Sequence, residues 1–303
     1  MGPLTTLARH TLKLLGYSAD TRVIILHADD LGMCLAENQA ALEQASSGYP
    51  VCGAVMAPCP WAPHIAHTAL LNTAFDLGAH LTLNAEWADY RWAPLTGRSF
   101  ASGLVDSEGC LWSSVEALHA HMNPAAAIAE MRAQVRYLLD QGIELTHIDT
   151  HMGAVLHPLL LETYVDLAFE FHLPVMLPRV LPAEYATSDT ADTPLLQSYH
   201  LALQRLEQAA WPLVDHIRSC TAPAGERLQG YLRIVDSLPP GITHFLYHAA
   251  VPGREIESID RSNWPMRVAD YQVMLDPAFR RALAERPDVR VIGYRALKQL
   301  VPA

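Results

Sequence analysis

Short apolar runs recur along this chain, separated by longer stretches of helical periodicity. That rhythm constrains the fold more than any other feature of the sequence. The strand candidates are Arg22–Ala28, Val51–Ala57, Phe75–Leu83, Leu145–Thr150, Leu173–Leu177, Pro212–His216, Thr243–Ala249 and Val289–Gly293. Many are apolar throughout, which is the pattern of strands covered on both faces, as in a parallel sheet. Helical stretches such as Glu37–Ser46, Pro124–Gln141 and Pro158–Phe171 lie between them. Eight strands alternating with helices predict an α/β fold: a TIM-like (β/α) barrel, regular or not, with a doubly wound open sheet as the alternative. The 303 residues suit a single barrel domain over residues 1–303.

Two stretches interrupt the rhythm. Asn84–Asn123, after the third strand, is long and carries Trp87, Tyr90, Arg91, Trp92 and Trp112. Its aromatics predict an ordered flap over the strand ends. Ala183–Thr193 is polar and acidic and predicts a surface loop. Residues 1–20 predict a leading helix, with Leu4, Leu7, Leu12 and Leu15 among polar neighbours.

The formal charge of -11 argues against nucleic-acid partners and anionic membranes. No apolar run is long enough to span a bilayer. The first twenty residues lack the apolar core and cleavage site of a signal peptide, so a cytoplasmic location is expected. The five cysteines, Cys34, Cys52, Cys59, Cys110 and Cys220, form no CxxC pair and are expected to be reduced.

Chemistry is expected where strands end and loops begin. Four strand ends carry polar groups that a buried strand would not tolerate unpaired. His27-Ala28-Asp29-Asp30-Leu31-Gly32 ends the first. Successive side chains alternate in direction, so the two carboxylates are expected to do different jobs. Gly78-Ala79-His80-Leu81 places a histidine inside an apolar strand. Thr146-His147-Ile148-Asp149-Thr150-His151 puts His147, Asp149 and His151 on one face. Thr243-His244-Phe245-Leu246-Tyr247-His248 does the same for His244 and His248, with His248 nearer the strand end.

Together Asp30, His80 and His151 supply one carboxylate and two imidazoles, an open three-ligand set suited to Zn²⁺ and other divalent ions. Such an ion would acidify water and polarise a carbonyl. Asp29 is then the expected base, and His248, titrating near neutrality, the expected acid. Asp149 and His147 are expected to support the ligands from behind. No GxSxG elbow, P-loop or HExxH is present.

At these residues the chain resembles the YdjC-like carbohydrate deacetylases, the family of chitooligosaccharide and hopanoid-sugar deacetylases. The matching motifs are Ala28-Asp29-Asp30-Leu31-Gly32 with Asn38, Gly78-Ala79-His80-Leu81-Thr82-Leu83, His147-Ile148-Asp149-Thr150-His151, and His248. The resemblance spans roughly residues 20 to 295. It implies a TIM-like barrel, one divalent ion (zinc or magnesium), and hydrolysis of an N-acetyl group on a small sugar or amino-sugar conjugate. It also implies metal ligation by Asp30, His80 and His151, a base at Asp29 and an acid at His248. Enzymes of this kind suggest a homodimer. The chain departs from the pattern at Gly153, where members often carry a second histidine. It departs again at His248-Ala249-Ala250, where they often carry His-Pro-Gly; Pro252-Gly253 is displaced here.

Arg179, after a strand, is a candidate clamp for Asp29 or for a substrate oxygen. Trp87, Trp92 and Trp264 are candidates to stack on sugar faces. Two other readings use the same residues: a metal-dependent hydrolase of another amide or ester bond, and a non-catalytic carbohydrate-binding protein on the same fold.

Overall fold

The computed structural model describes residues 10–180 and 193–302. Its framework is seven parallel strands: β1 Arg22–Leu31, β2 Val51–Val55, β3 Phe75–Leu81, β4 Ile148–Thr150, β5 His216–Ser219, β6 Gly241–Tyr247 and β7 Val289–Ile292. They follow the order β4-β3-β2-β1-β6-β5, with β7 also on β1. β6 runs along β1 from Arg22 to Ala28. The opposite edge of β1 is divided between β7, beside Arg22–Ile25, and β2, beside His27–Leu31.

The sheet curls into a barrel because each strand has one face for helices and one for the interior. On β1, Ile24, Leu26 and Ala28 join the large outer core, whereas Val23 and Ile25 join a smaller cluster with Cys52, Val214, Ile242, Tyr294 and Leu297. This smaller cluster plugs the N-terminal end of the barrel. Moving toward the C-terminal ends, the inward positions change from apolar to polar: Val23 and Ile25, then His27 and Asp29, on β1; Ile242, then His244, on β6. Each layer is close-packed, as in barrels of this class.

Seven of the expected strand positions carry a ladder strand in some form, and the barrel expectation holds. Leu173–Leu177 is the exception. It makes one isolated bridge, Ile148↔Val175, because Pro174 and Pro178 lack the amide hydrogens a ladder requires. It still closes the wall. Ile148 donates to Pro174 and Met176 donates to Ile148, while Arg179 and Val180 donate to Val214 and Asp215. Of the Pro212–His216 candidate, only His216 lies in a ladder strand, β5.

The insertion is ordered, as expected, but its aromatics mostly lock the insertion itself. Trp92 donates to Asn84 O at 3.0 Å, Trp112 to Gly103 O at 2.8 Å, and Tyr90 OH to Met33 O at 2.6 Å. Glu130, on the helix Pro124–Asp140, accepts from Leu95 and Thr96 and ties the insertion to the barrel. Of the leading-helix expectation, residues 10–14 are helical and residues 1–9 lie outside the described residues. The Ala183–Thr193 loop expectation also lies outside them, apart from Thr193, which caps the helix Pro194–Gln208. All five cysteines are free thiols. Among the described residues, no helix is long and apolar enough to cross a membrane.

Candidate metal and catalytic site

The end of β1 is not a regular strand. Its register against β2 shifts between Ala28↔Gly53 and Leu31↔Val55. Asp29 and Asp30 therefore face the single residue Ala54, which is a β-bulge. Asp30 takes up the slack at φ 62°, a left-handed conformation uncommon outside glycine. Gly53 makes the bulge possible, since a Cβ there would meet Ala28 O at 2.4 Å. Alternation predicted opposite directions for the two carboxylates. The bulge cancels it, and both line one cavity of about 710 Å³ at the C-terminal ends of the strands. Asn38 secures the turn that follows, accepting from Gly32 N at 2.8 Å and donating to Trp61 O at 3.0 Å.

His80, from β3, and His151, directly after β4, meet Asp30 in this cavity. Each ring turns one nitrogen to Asp30 and the other to a different carboxylate. His80 Nδ1 lies 2.7 Å from Asp149 Oδ1, and its Nε2 lies 3.4 Å from Asp30 Oδ1. His151 Nε2 lies 3.1 Å from both oxygens of Glu86, and its Nδ1 lies 3.1 Å from Asp30 Oδ1. The Asp30, His80 and His151 donors all fall within 4.8 Å of one another. One carboxylate oxygen and two imidazole nitrogens, each ring backed by a carboxylate, is a donor set that fits a divalent cation.

The electrostatics agree. Burial opposes charge on both rings, yet Asp149 and then Asp30 hold the His80 pKa well above its ordinary value. Glu86 and Asp30 lift His151 to about 9. Burial likewise opposes charge on Asp30, but His248 and His151 keep it well below the usual carboxylate range. A site that favours positive charge this strongly is suited to a cation. Arg267 fixes the far side of Asp30. Its Nη1 donates to Asp30 Oδ2 at 3.0 Å and pairs with Glu37, and its Nε donates to Asp260 at 2.8 Å.

His248 follows β6 and stands over the two carboxylates, with its Nε2 4.0 Å from Asp29 and 3.8 Å from Asp30. Its ring is about one-third exposed to the cavity. Asp270, buried against Arg227, accepts from the His248 backbone N at 3.2 Å and fixes where the ring emerges. Asp29 is held by His27, whose Nδ1 lies 2.6 Å from Asp29 Oδ1. Burial raises the Asp29 pKa, but this bond and the charges of His27, His80 and His248 outweigh it and leave the carboxyl well below its ordinary value.

The remaining sequence candidates are scattered. Trp87 lines the cavity, 5.6 Å from the Arg267 guanidinium. Trp92 and Trp264 do not line it. Trp92 is buried in the insertion, with its indole N–H used on Asn84, and Trp264 opens the helix Trp264–Leu275 and packs on the outer core. Arg179 does not reach Asp29, because Glu207 and Asp215 hold it in the barrel wall. His147 lies below the cavity floor, fully buried. Three contributors had not been singled out: Glu86, Arg267 and His27. Spacing does couple His27 to Asp29, two residues apart on one strand. No local pattern marks Arg267, which is 237 positions from Asp30.

Residues 23–285 match the family model described as YdjC-like protein. A carbohydrate deacetylase of Thermus thermophilus is 35% identical over 279 residues, covering 92% of this chain and 94% of the relative. A carbohydrate deacetylase of Thermoanaerobacter pseudethanolicus is 22% identical over 277 residues, covering 91% and 100%. Among solved structures, a candidate cellobiose-phosphate cleavage protein from Enterococcus faecalis V583 shares the fold. Its TM-score is 0.73 at 18% identity, over 91% of this chain and 99% of that one.

Proposed function

Because the chain belongs to the YdjC-like protein family, we propose that it is a carbohydrate deacetylase that hydrolyses the N-acetyl group of a small amino sugar. The observation that carries this reading is the convergence of Asp29, Asp30, His80, His151 and His248 on one cavity. The two relatives named carbohydrate deacetylase, each matching more than nine-tenths of the chain, support the substrate class.

In this reading Asp30, His80 and His151 would hold one divalent ion, zinc or magnesium, which would supply Lewis-acid polarisation of the acetyl carbonyl and a lowered pKa for water. Asp29 takes the proton from the attacking water, its carboxylate kept ionised by His27. His248, whose Nε2 stands about 4 Å from both carboxylates, gives a proton to the departing sugar nitrogen. Asp149 and Glu86 fix the ring orientations of His80 and His151, and Arg267 fixes Asp30. Trp87 offers an aromatic wall for a sugar face.

The test is acetate release from a panel of N-acetylated mono- and disaccharides, with metal-loaded protein beside chelated protein. Release that chelation abolishes is the expected result. Stoichiometric metal without any acetate release would move the activity to another scissile bond. Release that is insensitive to chelation would remove the metal from the mechanism.

A further inference from the structure

Beneath the cavity floor lies a layer of polar groups that the proposed chemistry does not use. His27 Nε2 is 2.7 Å from His147 Nε2, and His147 Nδ1 is 3.0 Å from Thr146 Oγ1. Thr146 Oγ1 in turn bonds the Asp76 carboxylate. Asp76 accepts from Arg295 N at 2.8 Å, beyond β7. A continuous hydrogen-bonded file thus runs from Asp29 through His27, His147 and Thr146 to Asp76. His27, His147 and Thr146 are fully buried.

The rings in this file are clamped. Tyr294 stacks on His147 with centroids 3.9 Å apart and planes at 16°. The opposite side of His147 is Gly78, where a Cβ would come within 2.5 Å of the ring. His244 packs 4.5 Å from His27 and donates to or accepts from Tyr294 OH at 2.8 Å. A buried polar network this complete orders its members, whereas a half-satisfied one would destabilise the fold.

We propose that His27 is a positioning residue for the candidate base. It is held from behind by His147, and it fixes the Asp29 carboxylate at the rotamer that faces the cavity. The inference rests on the assignment of Asp29 as the base. The donors run outward from His27 toward the carboxylates at the two ends of the file. Burial and the charge of His27 hold the His147 pKa well below its ordinary value, so that ring is neutral. The Thr146 hydroxyl donates to the Asp76 carboxylate, so its oxygen is left to accept from His147 Nδ1–H. His147 Nε2 then accepts from His27 Nε2–H, and His27 Nδ1–H donates to the Asp29 carboxylate. Each donor is used once, and the carboxylate at each end of the file receives a proton donor without supplying one. His27, Asp29, Asp149 and His244 also place one donor atom each within 4.8 Å of one another. Both His27 nitrogens are already paired within the file, which favours positioning over a second cation.

The test uses metal-loaded protein and the best substrate from the acetylated-sugar panel, with His27→Ala, His27→Asn, His147→Gln and Asp29→Asn side by side. Asparagine at 27 can place an amide donor near the original Nδ1. His27→Ala is expected to lower kcat roughly 10–100-fold, with KM and metal content unchanged, as for other residues that orient a reacting group. His27→Asn should recover much of that loss. His147→Gln should also lower kcat, and it stands in if His27→Ala fails to fold. A second readout is independent of turnover: in ¹⁵N-histidine-labelled protein, the His27 Nδ1 should be protonated and strongly hydrogen-bonded, with a signal that shifts in Asp29→Asn. Wild-type kcat in His27→Ala and His147→Gln beside an inactive Asp29→Asn would overturn the inference and leave the base standing. An active Asp29→Asn would instead overturn the base assignment. Two bound metal equivalents, falling to one in His27→Ala, or an unprotonated His27 Nδ1, would also overturn the inference.

Discussion

Asp149 Oδ1 lies 2.7 Å from His80 Nδ1, and that one bond decides which His80 nitrogen faces the site. With Nδ1 donating to the carboxylate, Nε2 is the nitrogen turned to the Asp30 side of the cavity, where a cation would displace its proton. Asp149→Asn weakens that choice of tautomer without emptying the space. Metal affinity is expected to fall about 10–100-fold, with the melting temperature of the metal-free protein little changed. Competition against a chromogenic chelator measures the first, and a thermal melt the second.

Removal of the base and removal of the acid should have separate signatures. Asp29→Asn is expected to lower kcat by about 10²–10⁴, and His248→Gln to do so by a comparable factor, each at full metal occupancy. Steady-state kinetics with metal analysis of the same samples would check this. Loss of metal along with activity in Asp29→Asn would make Asp29 a ligand instead of the base.

Arg267 is the shared cationic partner of three buried acidic side chains, Asp30, Glu37 and Asp260. Arg267→Met keeps the bulk and removes the charge, leaving Glu37 and Asp260 without their cation and Asp30 with its histidines alone. A loss of about 3–5 kcal/mol is expected, read as a lowered denaturant midpoint with an unchanged slope. A midpoint within error of wild type would mean that the carboxylates neutralise themselves by taking up protons.

A cation that binds only the folded chain must stabilise it. Addition of zinc at about 100 times its dissociation constant should add roughly 2.7 kcal/mol. The melting temperature should rise with zinc and return on chelation, and Asp30→Ala should abolish the response. A response that survives in Asp30→Ala would place the ion elsewhere.

Much of the site was legible because it obeys the strand period of two. His147, Asp149 and His151 lie on one side of β4 and its extension, and His244 and His248 on one side of β6, as their spacing predicts. The errors arose where that period broke. Asp29 and Asp30 share a cavity because a bulge, permitted by the missing side chain of Gly53, inserts one extra residue into β1. Leu173–Leu177 has the apolar residues of a strand, but Pro174 within it and Pro178 after it prevent a ladder. Trp92 and Arg179 carry the right chemistry for a sugar site, and tertiary partners hold both elsewhere.

The sequence by itself therefore determined the parallel barrel and the strand ends where chemistry collects. Both follow from local periodicity and from the cost of burying unpaired polar groups. Only the tertiary structure decided which nitrogen of each histidine faces Asp30, that both aspartates open onto the same cavity, and that Glu86 and Arg267 belong to the site. Those choices are made by hydrogen bonds between residues far apart in the chain. Their geometry depends on how the barrel closes, and no local sequence pattern encodes that.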